Sequence, residues 1–163
     1  MKPTLFIASD HAGFELKSYL LKTLPAPVLQ NWNWEDLGPS NADRVDYPDY
    51  AKALCDKLLT RRSTENSGNI SSPTPASQSF GILICGSGQG MAMTANRTPG
   101  IRAALAWNKD SAKLSREHND ANVLCLGARL IENHLAVKLI EIFLTTSFEG
   151  GRHSGRISKI ERR

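Results

Sequence analysis

Short, continuous apolar bursts alternate along the chain with longer stretches in which apolar residues recur every three or four positions. Leu5-Phe6-Ile7-Ala8 is the first burst, the pattern of a strand buried on both faces. Phe14, Leu16, Leu20, Leu21 and Leu24 then recur at helical spacing, and Pro25 and Pro27 are expected to stop that helix. Val28 to Trp34 reads as a second, weaker strand. Tyr50, Ala51, Leu54, Cys55, Leu58 and Leu59 form an amphipathic helix begun near Pro48, a residue that suits a first helical turn. Phe80-Gly81-Ile82-Leu83-Ile84-Cys85 is the clearest strand, and it runs straight into Gly86-Ser87-Gly88-Gln89-Gly90 and a helix through Met91 to Asn96. A strand over Ile101 to Ala106, a helix over Asp110 to Glu117, a strand over Asn122 to Leu126 and a periodic helix over Glu132 to Thr146 complete the pattern.

Alternating strands and helices with near-continuous apolar strands imply a doubly wound, Rossmann-like α/β fold. The expected core is a parallel sheet of about five strands with helices on both faces. A chain of 163 residues suits one domain, 1–163. One stretch breaks the pattern. Arg62 to Ser79 is rich in Ser, Thr, Asn and Pro, with Ile70 its one large apolar residue, and is expected to be a mobile, disordered insertion at 62–79. No apolar run approaches the ~18 residues of a membrane helix. The N-terminus lacks a signal peptide's apolar length and cleavage site. Three cysteines, Cys55, Cys85 and Cys125, without CxxC spacing, fit free thiols in a reducing cytoplasm.

The net charge of +4 suggests nucleic acid until it is located. The C-terminal segment 152–163 holds five bases (Arg152, Arg156, Lys159, Arg162, Arg163) against Glu161, which accounts for the whole excess. A neutral body with one basic end is not the basic face of a nucleic-acid-binding protein. The segment is either a small anion-binding device or a solvated tail.

Ligands of doubly wound sheets bind beyond the carboxyl ends of the strands. The residues there are Asp10-His11, the turn Gly86 to Gly90, the neighbourhood of Trp107-Asn108, and Gly127-Ala128-Arg129. The glycine-rich turn is neither a P-loop nor GxGxxG, since Met91 stands where the third glycine belongs. It is either a tight strand-to-helix turn or a cradle of amides for an anion. Cys85, at the mouth of that turn, is either an inert buried thiol or one favoured as thiolate by a helix N-terminus. Cys55 and Cys125 fit inert burial. His118 precedes a strand, the wrong end for a catalyst of the same chain, so it is either a surface residue or reaches a neighbouring subunit's site. His134 reads as structural. Without HExxH, CxxC or a carboxylate set, no metal is expected. Asn69-Ile70-Ser71 and Asn96-Arg97-Thr98 match the glycosylation pattern by chance alone if the chain stays in the cytoplasm.

Six segments in order resemble the B-type ribose-5-phosphate isomerases, within the wider family of ribose and galactose phosphate isomerases. They are Ser9-Asp10-His11-Ala12-Gly13-Phe14, Asp46-Tyr47-Pro48-Asp49-Tyr50-Ala51, Gly81 to Gly88, Gly100-Ile101-Arg102-Ala103, Leu114 to Leu124, and Glu149-Gly150-Gly151-Arg152-His153. The resemblance implies metal-free, cofactor-free aldose–ketose isomerisation through a cis-enediolate. It implies Cys85 as the base moving a proton between C1 and C2, and His118 as the residue assisting ring opening. Asp10, Tyr47 and Asn119 would engage the sugar, and the amides of Gly86, Ser87, Gly88, Gln89 and Gly90 the enediolate oxygen. His11, Arg129, Arg152 and Arg156 would hold the phosphate, the last two on one face of a helix by their i, i+4 spacing. It also implies a homodimer or tetramer with sites shared between subunits. Ser87 stands where Thr is frequent, and no carboxylate follows Gly88, which indicates the cysteine subtype rather than the glutamate one. The rival substrate is a hexose 6-phosphate of galactose or allose type. A non-catalytic phospho-sugar sensor on the same fold is the rival function, and an electron carrier fits poorly because those proteins are acidic.

Overall fold

In a computed structural model the residues described are 2–66 and 78–160. The first apolar burst becomes β1 (Thr4–Ser9), buried along its whole length, and the first periodic stretch becomes α1 (Phe14–Thr23). The region expected as a second strand divides in two. Ala26–Asn31 is a helix, α2, with Pro27 in its first turn, and the strand β2 is only Asn33–Asp36. Two effects overturn the expectation: a first-turn proline forgoes no helical hydrogen bond, and β2 lies at the sheet edge, where Asn, Glu and Asp face solvent.

The next helix, α3 (Tyr47–Asn66), begins beside Pro48 as expected but runs further, absorbing the first five residues of the predicted insertion. Arg62 and Glu65 anchor it. Arg62 donates to the Ser79 carbonyl and to Gln78 Oε1, and the Glu65 carboxylate accepts from the Ser79 amide and hydroxyl. The two ends of the segment are therefore ordered and joined, contrary to the expectation for 62–66 and 78–79; 67–77 lies outside the described residues. The remaining elements are β3 (Phe80–Cys85), α4 (Gln89–Ala95), β4 (Ala103–Leu105), α5 (Lys109–Glu117), β5 (Val123–Gly127), α6 (Asn133–Thr145) and α7 (Arg152–Ile160).

All strand pairs are parallel, in the order β2-β1-β3-β5-β4. Alternation along each strand divides the core. Leu5, Ile7, Ile82, Ile84, Leu124 and Leu126 face α1, α2, α5 and α6, whereas Phe6, Ala8, Leu83, Val123 and Cys125 face α3 and α4. Cys55 and Cys125 are buried in that second layer, where desolvation raises both thiols, Cys55 to about 11. They are inert, as read from the sequence. Among the described residues no helix is long and apolar enough to cross a membrane.

Candidate active site

The strand order reverses between β1 and β3, because β2 lies beyond one and the rest of the sheet beyond the other. At such a switch point the loops leaving the two strands part and leave a crevice. A cleft of about 330 Å³ occupies that place, lined by Asp10, His11, Tyr47, Cys85, Gly86, Ser87, Gly90 and Arg129, with Ala12 and Leu130 at its edges. Eight of the residues singled out from the sequence thus share one cleft.

Several of them are held by local features. Asp10 Oδ1 accepts the Gly13 amide at 2.9 Å, closing a turn that leaves the other carboxylate oxygen available. His11 Nδ1 is held by the Val45 backbone, 3.0 Å from its carbonyl and 3.4 Å from its amide, so Nε2 is the ring nitrogen left for a ligand. Nothing in the sequence pattern marked Val45. Gly88 is the N-cap of α4 at φ +75, a conformation glycine adopts without strain. That bend brings its amide to 3.1 Å from Cys85 Sγ, a bond that a thiolate accepts more strongly than a thiol. The ring of Tyr47 lies so close to Gly90 that a Cβ there would meet it at 2.6 Å. Gln89 turns away from the cleft, toward an adjoining cavity of about 300 Å³ lined by Leu105, Trp107, Leu130 and Ile131.

His118, Asn119, Arg152 and Arg156 are not in this cleft. Cys85 pairs with Gly127 at the carboxyl end of β5, while His118 caps α5, five residues ahead of the first residue of β5. The length of β5 alone, four steps of about 3.3 Å or roughly 13 Å, separates the two levels. At the far end His118 stacks on His153, ring centroids 4.3 Å apart and planes 11° from parallel. Glu149 Oε2 lies 3.9 Å from His118 Nε2 and 3.5 Å from His153 Nε2. Burial, then the neighbouring His118 and Arg152, lower the pKa of His153. These three side chains place possible ligand atoms within 4.8 Å of one another. The near-parallel rings, however, direct their lone pairs side by side in separate planes, and an ion cannot lie in both. Arg152 and Arg156 follow on α7, both exposed and one turn apart.

The loop carrying His118 is clamped from beneath. Asp120, at φ +44, accepts from Arg116 at 2.7 Å and from Arg102 at 2.9 Å. Arg116 is only 2% exposed, lies over the ring of Phe80 at 4.8 Å, and also donates to the Ala121 carbonyl. His134, read as structural, is exposed at the start of α6.

With this geometry in hand, similarity to known proteins becomes decisive. Residues 5–160 match the ribose/galactose isomerase family. The chain belongs to that family. The ribose-5-phosphate isomerase B of Escherichia coli is 37% identical over 151 residues, covering 93% of this chain and 89% of that one. The ribose 5-phosphate isomerase of Thermotoga maritima has a structure matching with a TM-score of 0.81 at 42% identity, over 99% of both chains. The Mycoplasma genitalium ribose-5-phosphate isomerase B, solved with ribulose-5-phosphate bound, matches at 38% identity with a TM-score of 0.81, over 99% of this chain and 96% of that one. The family fold is the five-stranded parallel sheet described above, so the fold class read from the sequence holds.

Proposed function

We propose that this chain is an aldose–ketose isomerase that interconverts ribose 5-phosphate and ribulose 5-phosphate in the cytoplasm, using protein side chains alone. The observation that carries the reading is Cys85, its sulfur 3.1 Å from a backbone amide, in a cleft it shares with Asp10, His11 and Arg129. His11 and Arg129 hold the phosphate from one side. The exposed Arg152 and Arg156, together with His118 and Asn119, complete the site from a second copy of the chain. Two features favour that assembly. The His118 group and the cleft lie at opposite ends of one sheet, and Trp107 and Leu130, 58% and 66% exposed, form an apolar rim beside the cleft.

The chemistry follows in three stages. The His118 imidazolium gives a proton to the ring oxygen as the C1–O bond breaks, and the free oxygen of Asp10 takes the C1 hydroxyl proton, leaving the open aldehyde. The Cys85 thiolate takes the proton from C2, and the electrons move onto the C1 oxygen, where the Gly86, Ser87 and Gly90 amides steady the enediolate. The O2 proton passes to O1, and Cys85 returns its proton to C1. Phosphate binding at the far end of the sugar supplies orientation for the reacting carbons.

The test is a panel of pentose and hexose phosphates in D2O, followed by NMR for C1 and C2 exchange. Ribose 5-phosphate is expected to turn over in the native protein and not in Cys85→Ser, which should still bind it. Turnover of hexose 6-phosphates alone would overturn the pentose assignment. Binding without exchange would make the protein a phospho-sugar sensor instead.

A further inference from the structure

Glu149 belongs to neither half of the site as read from the sequence, yet it is the anionic group at the histidine pair. Gly150 and Gly151, at φ +67 and +54, fold the chain back so that Glu149 faces His153 across one turn. The Glu149 amide donates to the Glu117 carbonyl at 3.0 Å, fastening this loop to the end of α5 beside His118. Glu117 is itself engaged by Lys113. The charged groups around the pair are therefore Glu149 on one side and Arg152 and Arg156 on the other. Two rings stacked at 4.3 Å repel one another when both are cations, and His118 is one of the groups that lower the pKa of His153. His153 is 6% exposed, with Arg152 Nε 3.4 Å from its Nε2. His118 is the more open ring, and the Glu149 carboxylate lies beside both, 3.5 Å from His153 Nε2 and 3.9 Å from His118 Nε2.

We infer that Glu149 is a positioning residue that, from a loop fastened to the end of α5, holds the His118 ring in its place against His153, and so serves ring opening and not the carbon-to-carbon proton transfer. The inference rests on the isomerase reading above and adds a residue to it. Its signature follows from the substrates. Ribose 5-phosphate is a closed ring that must open, whereas ribulose 5-phosphate has its 5-oxygen blocked and is already an open chain. Exchange of the C1 proton of ribulose 5-phosphate in D2O therefore needs Cys85 but no ring step.

The experiment compares Glu149→Gln, Glu149→Asp and His118→Ala with the native protein in both assays. In Glu149→Gln, turnover of ribose 5-phosphate is expected to fall about tenfold, equivalent to about 1.4 kcal/mol in the barrier, while C1 exchange of ribulose 5-phosphate stays within about twofold. Glu149→Asp should restore part of the lost ribose 5-phosphate turnover. Glu149 is 51% exposed, so the variants should fold; equal melting temperatures check this. Equal losses in the two assays, or native behaviour in Glu149→Gln while His118→Ala is impaired, would overturn the role of Glu149 alone. Native turnover in His118→Ala would overturn the assignment of His118 and this inference with it, and an inactive native protein would overturn the isomerase reading.

Discussion

If Cys85 and His118 act on one substrate, they come from different copies of the chain. Within one copy they sit at opposite ends of β5, roughly 13 Å apart along the strand direction alone, whereas proton transfer requires contact at about 3 Å. The perturbation is a mixture of two inactive proteins, Cys85→Ser and His118→Ala, under conditions that exchange subunits. In a twofold dimer each mixed pair has one site bearing both lesions and one bearing neither. Equal mixing makes half the dimers mixed, and half of their sites are intact, so activity should return to about a quarter of the native value. The assay is ribose 5-phosphate turnover, with subunit exchange followed independently by native mass spectrometry of a mass-labelled partner. No recovery alongside demonstrated exchange would refute the shared site, because lesions confined to one chain leave every site damaged.

Asp120→Asn keeps a residue that tolerates the left-handed backbone but removes the charge facing buried Arg116. It should cost about 3 kcal/mol, or roughly 6–12 °C in melting temperature, and lower turnover by loosening the His118 loop; an unchanged melting point would count against the clamp. Iodoacetamide at mild alkaline pH should label Cys85 and spare Cys55 and Cys125, whose thiols burial holds up, with activity lost in step with labelling and protected by inorganic phosphate; peptide mapping reads it directly. His153 has its pKa lowered from 6.5 by burial and by His118 and Arg152. The folded protein therefore takes up this proton less readily than the unfolded chain. Stability should be full above about pH 7 and decline as pH falls through the mid-6 range toward the folded value; urea unfolding of His153→Asn should lack that part of the slope.

The sheet was legible because a strand covered on both faces must be apolar along its length, and β1, β3 and β5 are. The edge strand was misread for the same reason: β2 is Asn33-Trp34-Glu35-Asp36, and periodicity carries little where one side meets water. At the insertion, composition misled. Arg62 and Glu65 look like solvated charges, yet they bind Gln78 and Ser79 across the gap, a long-range pairing that no local pattern encodes. The cleft residues were found because each follows a strand end. What escaped were groups acting through backbone or through neighbours, such as the Val45 backbone behind His11, and the place of Glu149, which stood in a resembling segment without a role of its own.

The same topology explains why the chain carries chemistry at both ends. A parallel sheet offers one ligand end, where the strands' carboxyl termini open at the switch point, and Asp10, His11, Cys85 and Arg129 occupy it. The cations and imidazoles at the opposite end, on the α5 cap and α7, do not line this cleft. A twofold axis would give them one, because an isologous contact can set each copy's far end against the other's cleft and complete both sites together. Two sets of groups, each incomplete alone, then become two equal sites without any further element of structure. On the proposed assembly Arg152 and Arg156 would clamp the phosphate in the neighbouring subunit's site rather than form a tail or a nucleic-acid arm, and Arg152→Ala should raise KM for the sugar phosphate far more than it lowers kcat, with the reverse result sinking the assignment.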